Sequence, residues 1–164
     1  MLFRSQGFIG VALPVGRLLA AEFANPEMKF VAVETVVSPA MGGLMIGHEV
    51  ARALGARHIF TERDADGKMI LRRGFTVSPG ERCVVVEDVI TTGGSTKEVV
   101  EVLRAAGAEV LAAGSIIDRS NGEAQVGVPR VALVAMKVVA WKAEECPLCT
   151  AGLAVVKPGS RPAA

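Results

Sequence analysis

Short, largely apolar runs alternate along this chain with stretches whose apolar positions recur every three or four residues. The apolar runs predict strands at Phe30–Val37, Arg57–Thr61, Cys83–Glu87, Glu109–Ile117 and Arg130–Ala135. The helical spacing predicts helices at Pro14–Ala24, Gly42–Leu54 and Ser95–Ala106. This order predicts an α/β fold: a central, mostly parallel sheet flanked by helices, with ligands at the carboxyl ends of strands. The stretch Glu62–Gly80 breaks the alternation. It is polar and charged, with Gly67, Gly74, Pro79 and Gly80 among its residues, and it reads as a solvated hairpin turning at Asp66-Gly67.

Composition adds to this picture without changing it. At 164 residues, one domain over 1–164 is expected, long enough to bury a substantial core. The chain is 51% hydrophobic and 4% aromatic, which suits buried parallel strands closely covered by helices. A net charge of +1 gives no polyanion-binding surface, so no nucleic acid is expected as a partner. No apolar run is long enough to span a membrane and no signal peptide is evident, so no membrane partner is expected and the expected compartment is the cytoplasm. The tail 158–164 reads as loosely structured.

Candidate chemistry concentrates at Val84–Ser95, Val-Val-Val-Glu-Asp-Val-Ile-Thr-Thr-Gly-Gly-Ser. An apolar strand delivers two carboxylates, Glu87 and Asp88, to its end, and a hydroxyl- and glycine-rich turn follows before a helix. Ser95 and Glu98 have the spacing of a capping box, and Gly107 supplies a stop. Acids that can hold hydroxyls thus stand beside backbone N–H groups that can cradle a phosphate, as a phosphorylated sugar requires. There is no Gly-Lys-Ser/Thr of a Walker loop and no dinucleotide-binding glycine pattern after a strand.

The segment resembles the phosphoribosyl diphosphate (PRPP) motif of the type I phosphoribosyltransferases. The resemblance implies that family's fold, with a mobile hairpin loop, and ribosyl transfer from PRPP with Mg²⁺ as cofactor, carried by the substrate and not bound directly by the protein. Glu87 and Asp88 are then the catalytic acids on the ribose hydroxyls. Val89, Ile90, Thr91, Thr92, Gly93, Gly94 and Ser95 complete the PRPP loop, with the 5-phosphate at Thr91 to Ser95. Ser38, Pro39, Ala40, Met41, Gly42 and Gly43 resemble the family's pyrophosphate loop.

Asp118-Arg119 follows another strand, and an arginine there can grip a carboxylate with two parallel hydrogen bonds. The alternative is a surface arginine paired with Asp118 or Glu123. The pair Thr91 and Arg119 resembles the orotate-binding positions of the orotate branch. The charged stretch 62–75 matches that branch's mobile basic loop, with Arg63 as its opening arginine, a PRPP contact. Lys68 is the candidate for the loop's catalytic cation, and Arg72 and Arg73 supply further charge. The resemblance also implies a homodimer in which this loop reaches the partner's site. A purine-directed transferase and a non-catalytic PRPP-binding regulator remain as alternatives.

Two departures stand out. No Ser-Gly-Arg equivalent precedes the first helix, so a chain shortened at its N-terminus is expected, with 1–7 non-native. Cys146-Pro-Leu-Cys149 has metal-ligand spacing but half a ligand set, and is read as a reduced structural pair that does not open a helix after a strand. Cys83 is expected in the core, and His48 and His58 in structural positions.

Overall fold

The computed structural model describes residues 9–25, 32–139 and 141–153. The stretch 1–7, the tail 158–164, and Phe30 and Val31 of the first expected strand lie outside these residues. Four helices are described: α1 (Ile9–Phe23), α2 (Leu44–Leu54), α3 (Gly94–Ala105) and the short α4 (Pro147–Thr150). Six strands form one sheet: β1 (Thr35–Pro39), β2 (Arg57–Arg63), β3 (Met69–Leu71), β4 (Arg82–Ile90), β5 (Glu109–Asp118) and β6 (Arg130–Ala135).

The sheet order is β3-β2-β1-β4-β5-β6, and every pairing is parallel except β2 with β3. The chain runs outward from β1 through α2 to β2, and in the opposite direction from β4 through α3 to β5. β1 and β4 therefore sit side by side where the winding reverses. Their carboxyl ends diverge into loops on opposite faces, which opens a crevice there.

β4 shows why the sheet is covered twice. Cys83, Val84, Val85 and Val86 are all fully buried, and successive side chains of a strand point to opposite faces. Cys83 and Val85 pack with Val37, Ile59 and the α3 residues Val99 and Leu103. Val84 and Val86 pack with Val36, Ala112, Leu19 and Phe23 of α1, and Ile46 and Val50 of α2. A strand buried on both faces has no polar alternation, which explains its continuous apolar spelling. Burial in this environment pushes the Cys83 thiol up to about 12.

Several boundaries differ from expectation. The first strand is Thr35–Pro39, with 32–34 before it outside any strand, and it continues through Ser38 and Pro39, all five residues buried. α1 starts at Ile9 and carries Pro14 inside it, where the expected helix began. The missing Pro14 N–H leaves the Gly10 carbonyl without its usual donor, a loss confined to the second turn. α2 opens at Leu44 because residues 40–43 form the turn before it. β4 runs past Glu87 to Ile90, so both acids belong to the strand. β3 was not expected as a strand; it is the return arm of the expected hairpin, pairing Met69 with Arg63 and Leu71 with Thr61.

The hairpin turn is held by one side chain. Asp64 accepts from the Asp66 and Lys68 N–H groups at 3.0 and 2.9 Å, while Gly67 takes φ +79°. That left-handed conformation is cheap only for glycine.

Candidate active site

Two loops meet at the crevice. On the β1 side, Ser38 and Pro39 end the strand and residues 40–43 lead into α2, with a cis peptide between Ala40 and Met41. The Ala40 N–H donates to the Thr61 carbonyl at 2.8 Å, which ties this loop to β2. Met41 and Gly42 are exposed, and Gly42 lies so close to Asp88 that a Cβ on it would stand 2.7 Å from a carboxylate oxygen.

Ser38 is completely buried beneath that loop, 3.2 Å from the His58 Nε2. Burial, with His48 nearby, pushes the His58 imidazole down to about 4, so it is neutral at ordinary pH. A Cβ on Gly47 would overlap Ser38 Oγ at 1.9 Å and approach His58 Nε2 at 2.7 Å. Only glycine lets α2 approach this pair.

On the β4 side, Asp88 Oδ1 accepts the Val89 N–H at 2.8 Å, and Glu87 Oε1 accepts the Asp88 N–H at 3.2 Å. Burial, reinforced by the adjacent Asp88 side chain and its charge, pushes the Glu87 carboxyl up to about 9. Two acids share a site with few donors, so one of them keeps its proton. Thr91, Thr92, Gly94 and Ser95 are exposed around the turn. Gly93 is buried at φ +80°, where a Cβ would meet Val126 Cγ1 at 2.9 Å. The first backbone bond of α3 is Lys97 N–H to the Gly93 carbonyl, which leaves the Ser95 and Thr96 N–H groups pointing out of the helix end. A small pocket of about 60 Å³ lies within this turn, lined by Glu87 and residues 89–96. A cleft of about 450 Å³ joins the two loops, with Glu87, Asp88, Ser95, Met41, Gly42 and Arg63 on its walls.

A phosphate-sized cradle, two under-protected acids and a second open loop converge on one cleft. Residues 12–143 match the family described as the phosphoribosyl transferase domain. The chain belongs to the phosphoribosyltransferase family. Over 143 residues it is 52% identical to an orotate phosphoribosyltransferase of Desulforamulus reducens, covering 87% of this chain and 74% of that one. Among solved structures, the orotate phosphoribosyltransferase of Aeropyrum pernix is 27% identical with a TM-score of 0.56, covering 74% of this chain and 70% of that one. That of Mycobacterium tuberculosis in complex with PRPP gives a TM-score of 0.64 at 19% identity, covering 82% of this chain and 79% of that one. The chain thus spans about three quarters of the curated relative's length.

Not every expected contact of the phosphoribosyltransferase site forms as read from the sequence. The capping box is absent: Gly93 caps α3 with no side-chain bond, and Ser95 lies inside the first turn. Glu98 instead pairs with Arg63 at 2.7 Å, because the β2–β3 hairpin folds against α3. Arg63 also donates to the Gly67 carbonyl at 2.5 Å, so it lies at the edge of the cleft with its charge already matched. Arg73 is bound at 2.6 and 2.9 Å by both oxygens of Glu62 and sits over Phe60. Lys68 is exposed at the hairpin turn, and Arg72 is exposed on the returning arm.

Arg119 does not pair with Asp118 or Glu123. Asp118 is buried and saturated: it accepts the Ser120 N–H and hydroxyl at 2.8 and 2.6 Å, the Gly122 N–H at 2.8 Å, and Arg130. Burial alone would raise its carboxyl, but these donors outweigh it and hold it at about 2. Arg119 is left exposed, its own N–H donating to the Ile90 carbonyl at 2.8 Å, directly beside Thr91. The anchoring roles of Asp118, Arg130 and His58 depend on sheet register and on loop closure, and no local spacing announces them.

Proposed function

We propose that this chain transfers the phosphoribosyl group of PRPP to orotate, giving orotidine monophosphate and pyrophosphate in pyrimidine nucleotide biosynthesis. The observation that carries the choice of base is the hydrogen bond from the Arg119 main chain to Ile90. It sets the one exposed arginine of the β5 end beside Thr91, while Asp118 is too fully engaged to neutralise it. A carboxylated pyrimidine over this edge would meet a planar, bidentate cation and a hydroxyl. The names of the curated relatives agree with the reading.

In this proposal residues 91–95 bind the 5-phosphate through the α3 N-terminal N–H groups and the threonine hydroxyls. Asp88 and Glu87 hold the ribose hydroxyls, and residues 38–43 face the diphosphate. Attack by a ring nitrogen at the anomeric carbon breaks the bond to pyrophosphate, and negative charge facing the ring favours the oxocarbenium-like state. The protein's work is positioning and charge stabilisation, with no covalent nucleophile. Arg63 already lines the cleft, whereas Lys68 stands outside it at the hairpin turn, so closure of the hairpin would bring Lys68 to the leaving group and exclude water.

Mg²⁺ fits this donor set. It takes one or two carboxylates together with substrate phosphate oxygens and retained water; of the three carboxylates on the cleft walls, Glu62 is held by Arg73, which leaves Glu87 and Asp88. Among the described residues no group of three or more metal-ligating side chains occurs, so PRPP itself would supply most of the coordination. When bound, the ion neutralises charge on the departing pyrophosphate. The working form in this proposal is a cytoplasmic homodimer whose hairpins reach across to the partner's cleft. Among the described residues no helix is long and apolar enough to cross a membrane.

Arg119→Ala tests the assignment. The KM for orotate is expected to rise about 10- to 100-fold, the scale of a hydrogen bond to a charged group, with the KM for PRPP nearly unchanged. Equal losses for both substrates, or turnover of a purine in place of orotate, would overturn it.

A further inference from the structure

The two cysteines outside the core occupy a particular relation. Cys146 is the N-cap of α4 and Cys149 is its third residue. Those are the two positions whose side chains face each other across a helix start, the relation a capping box uses with other residues. The motif opens a short helix, but a turn at Ala143–Glu145 precedes it and not a strand, in keeping with the expectation that it does not open a helix after a strand. Both thiols are free and half-exposed, in contrast to the fully buried Cys83. The N–H groups of Cys149 and Leu148, with the Cys149 thiol, hold the Cys146 thiol below its usual range, and the bond to Cys146 holds the Cys149 thiol above it. Neither cysteine lines the cleft or the phosphate pocket.

We propose that Cys146 and Cys149 form a reversible dithiol–disulfide site, separate from the transferase cleft, whose oxidant is a low-molecular-weight disulfide such as glutathione disulfide. The Cys146 thiolate attacks one sulfur of that disulfide, forming a mixed disulfide and expelling one thiolate. The Cys149 thiol loses its proton to water, attacks the Cys146 sulfur and expels the second thiolate. The protein loses two electrons and two protons, and the reagent is reduced to two thiols. Cys146, at the N-cap and with its thiol held below the usual range, is the attacking thiolate and Cys149 the resolving partner. A metal reading fits less well, because two sulfurs supply half of a tetrahedral thiolate set and no third ligand joins them among the described residues.

The full chain, reduced and then equilibrated with mixtures of reduced and oxidised glutathione, provides the test. Mass spectrometry of the peptide following Lys142 is expected to show loss of two hydrogens and protection of both cysteines from alkylation, reversed by excess thiol. Cys149→Ser is expected to trap one glutathione on Cys146, whereas Cys146→Ser is expected to accumulate much less adduct on Cys149. Cys83 should stay unmodified throughout, as an internal control for folding. Independent alkylation of both cysteines at every glutathione ratio, disulfide-linked dimers in place of the internal bond, or stoichiometric zinc that blocks oxidation would each overturn the proposal. None of these readouts depends on the base or on catalysis, so failure here is distinct from failure of the transferase reading.

Discussion

The carboxyl ends of β4 and β5 lie side by side in the sheet, and each ends in acids treated in opposite ways. Asp118 on β5 is sealed in and given donors from Ser120, Gly122 and Arg130, which hold it at about 2. Glu87 on β4 shares its surroundings with another carboxylate and is pushed up to about 9. The first acid is satisfied by the protein and fixes a loop. The second pair is left short of partners and opens on a cleft. Perturbed acids gather at functional sites because the missing partner is the ligand. The direction of the shift separates scaffold from site more clearly than burial does.

The largest effect expected from breaking this contrast is at Asp118. Asp118→Ala removes the side-chain acceptor of the Ser120 and Gly122 donors and leaves Arg130, whose side chain is largely buried, without its ion partner, for a loss of roughly 3–5 kcal/mol in urea denaturation. The stabilisation from Asp118 is present above its usual pKa of 3.8 and is lost only as pH falls through about 2. A cost below that range, at neutral pH, would mean that the loop does not depend on this acid.

Next comes Gly42→Ala, which drives a methyl into the Asp88 carboxylate, 2.7 and 2.9 Å from its oxygens. The expected result is a 10- to 100-fold fall in kcat/KM for PRPP, roughly the cost of misplacing a reacting group. Unchanged kinetics would detach Asp88 from the ribose.

The smallest and most discriminating change is Glu87→Gln. From about pH 4.5 to about 9 the folded protein keeps a proton that the unfolded chain has released, so stability falls as pH rises through that window. Removing the titration is expected to raise the thermal midpoint near pH 8 and to leave it unchanged near pH 4, while lowering turnover. A gain of equal size at both values would assign the effect to packing, not to charge.

Much of this was legible in the residues. Cys83 to Val86 read as a strand because both faces are buried, and the Glu-Asp-x-x-Thr-Thr-Gly-Gly-Ser turn named its chemistry through residue types alone. The hairpin was legible from Asp66-Gly67, although β3 itself was not, since three residues carry little pattern. The capping box misled because Ser95 and Glu98 have the right spacing, yet Arg63, 35 positions upstream in sequence, competes for the same carboxylate. Local spacing cannot weigh a partner delivered by folding.

By itself, then, the chain's sequence determined the alternation of strands and helices, the PRPP-type turn and the positions of its acids and glycines, because these follow from local periodicity and backbone freedom. Only the tertiary structure decided which acid would be neutralised and which arginine would be left exposed beside Thr91. Those outcomes depend on sheet register and on which distant donors reach a buried group, and they are set when the loops close over the strand ends.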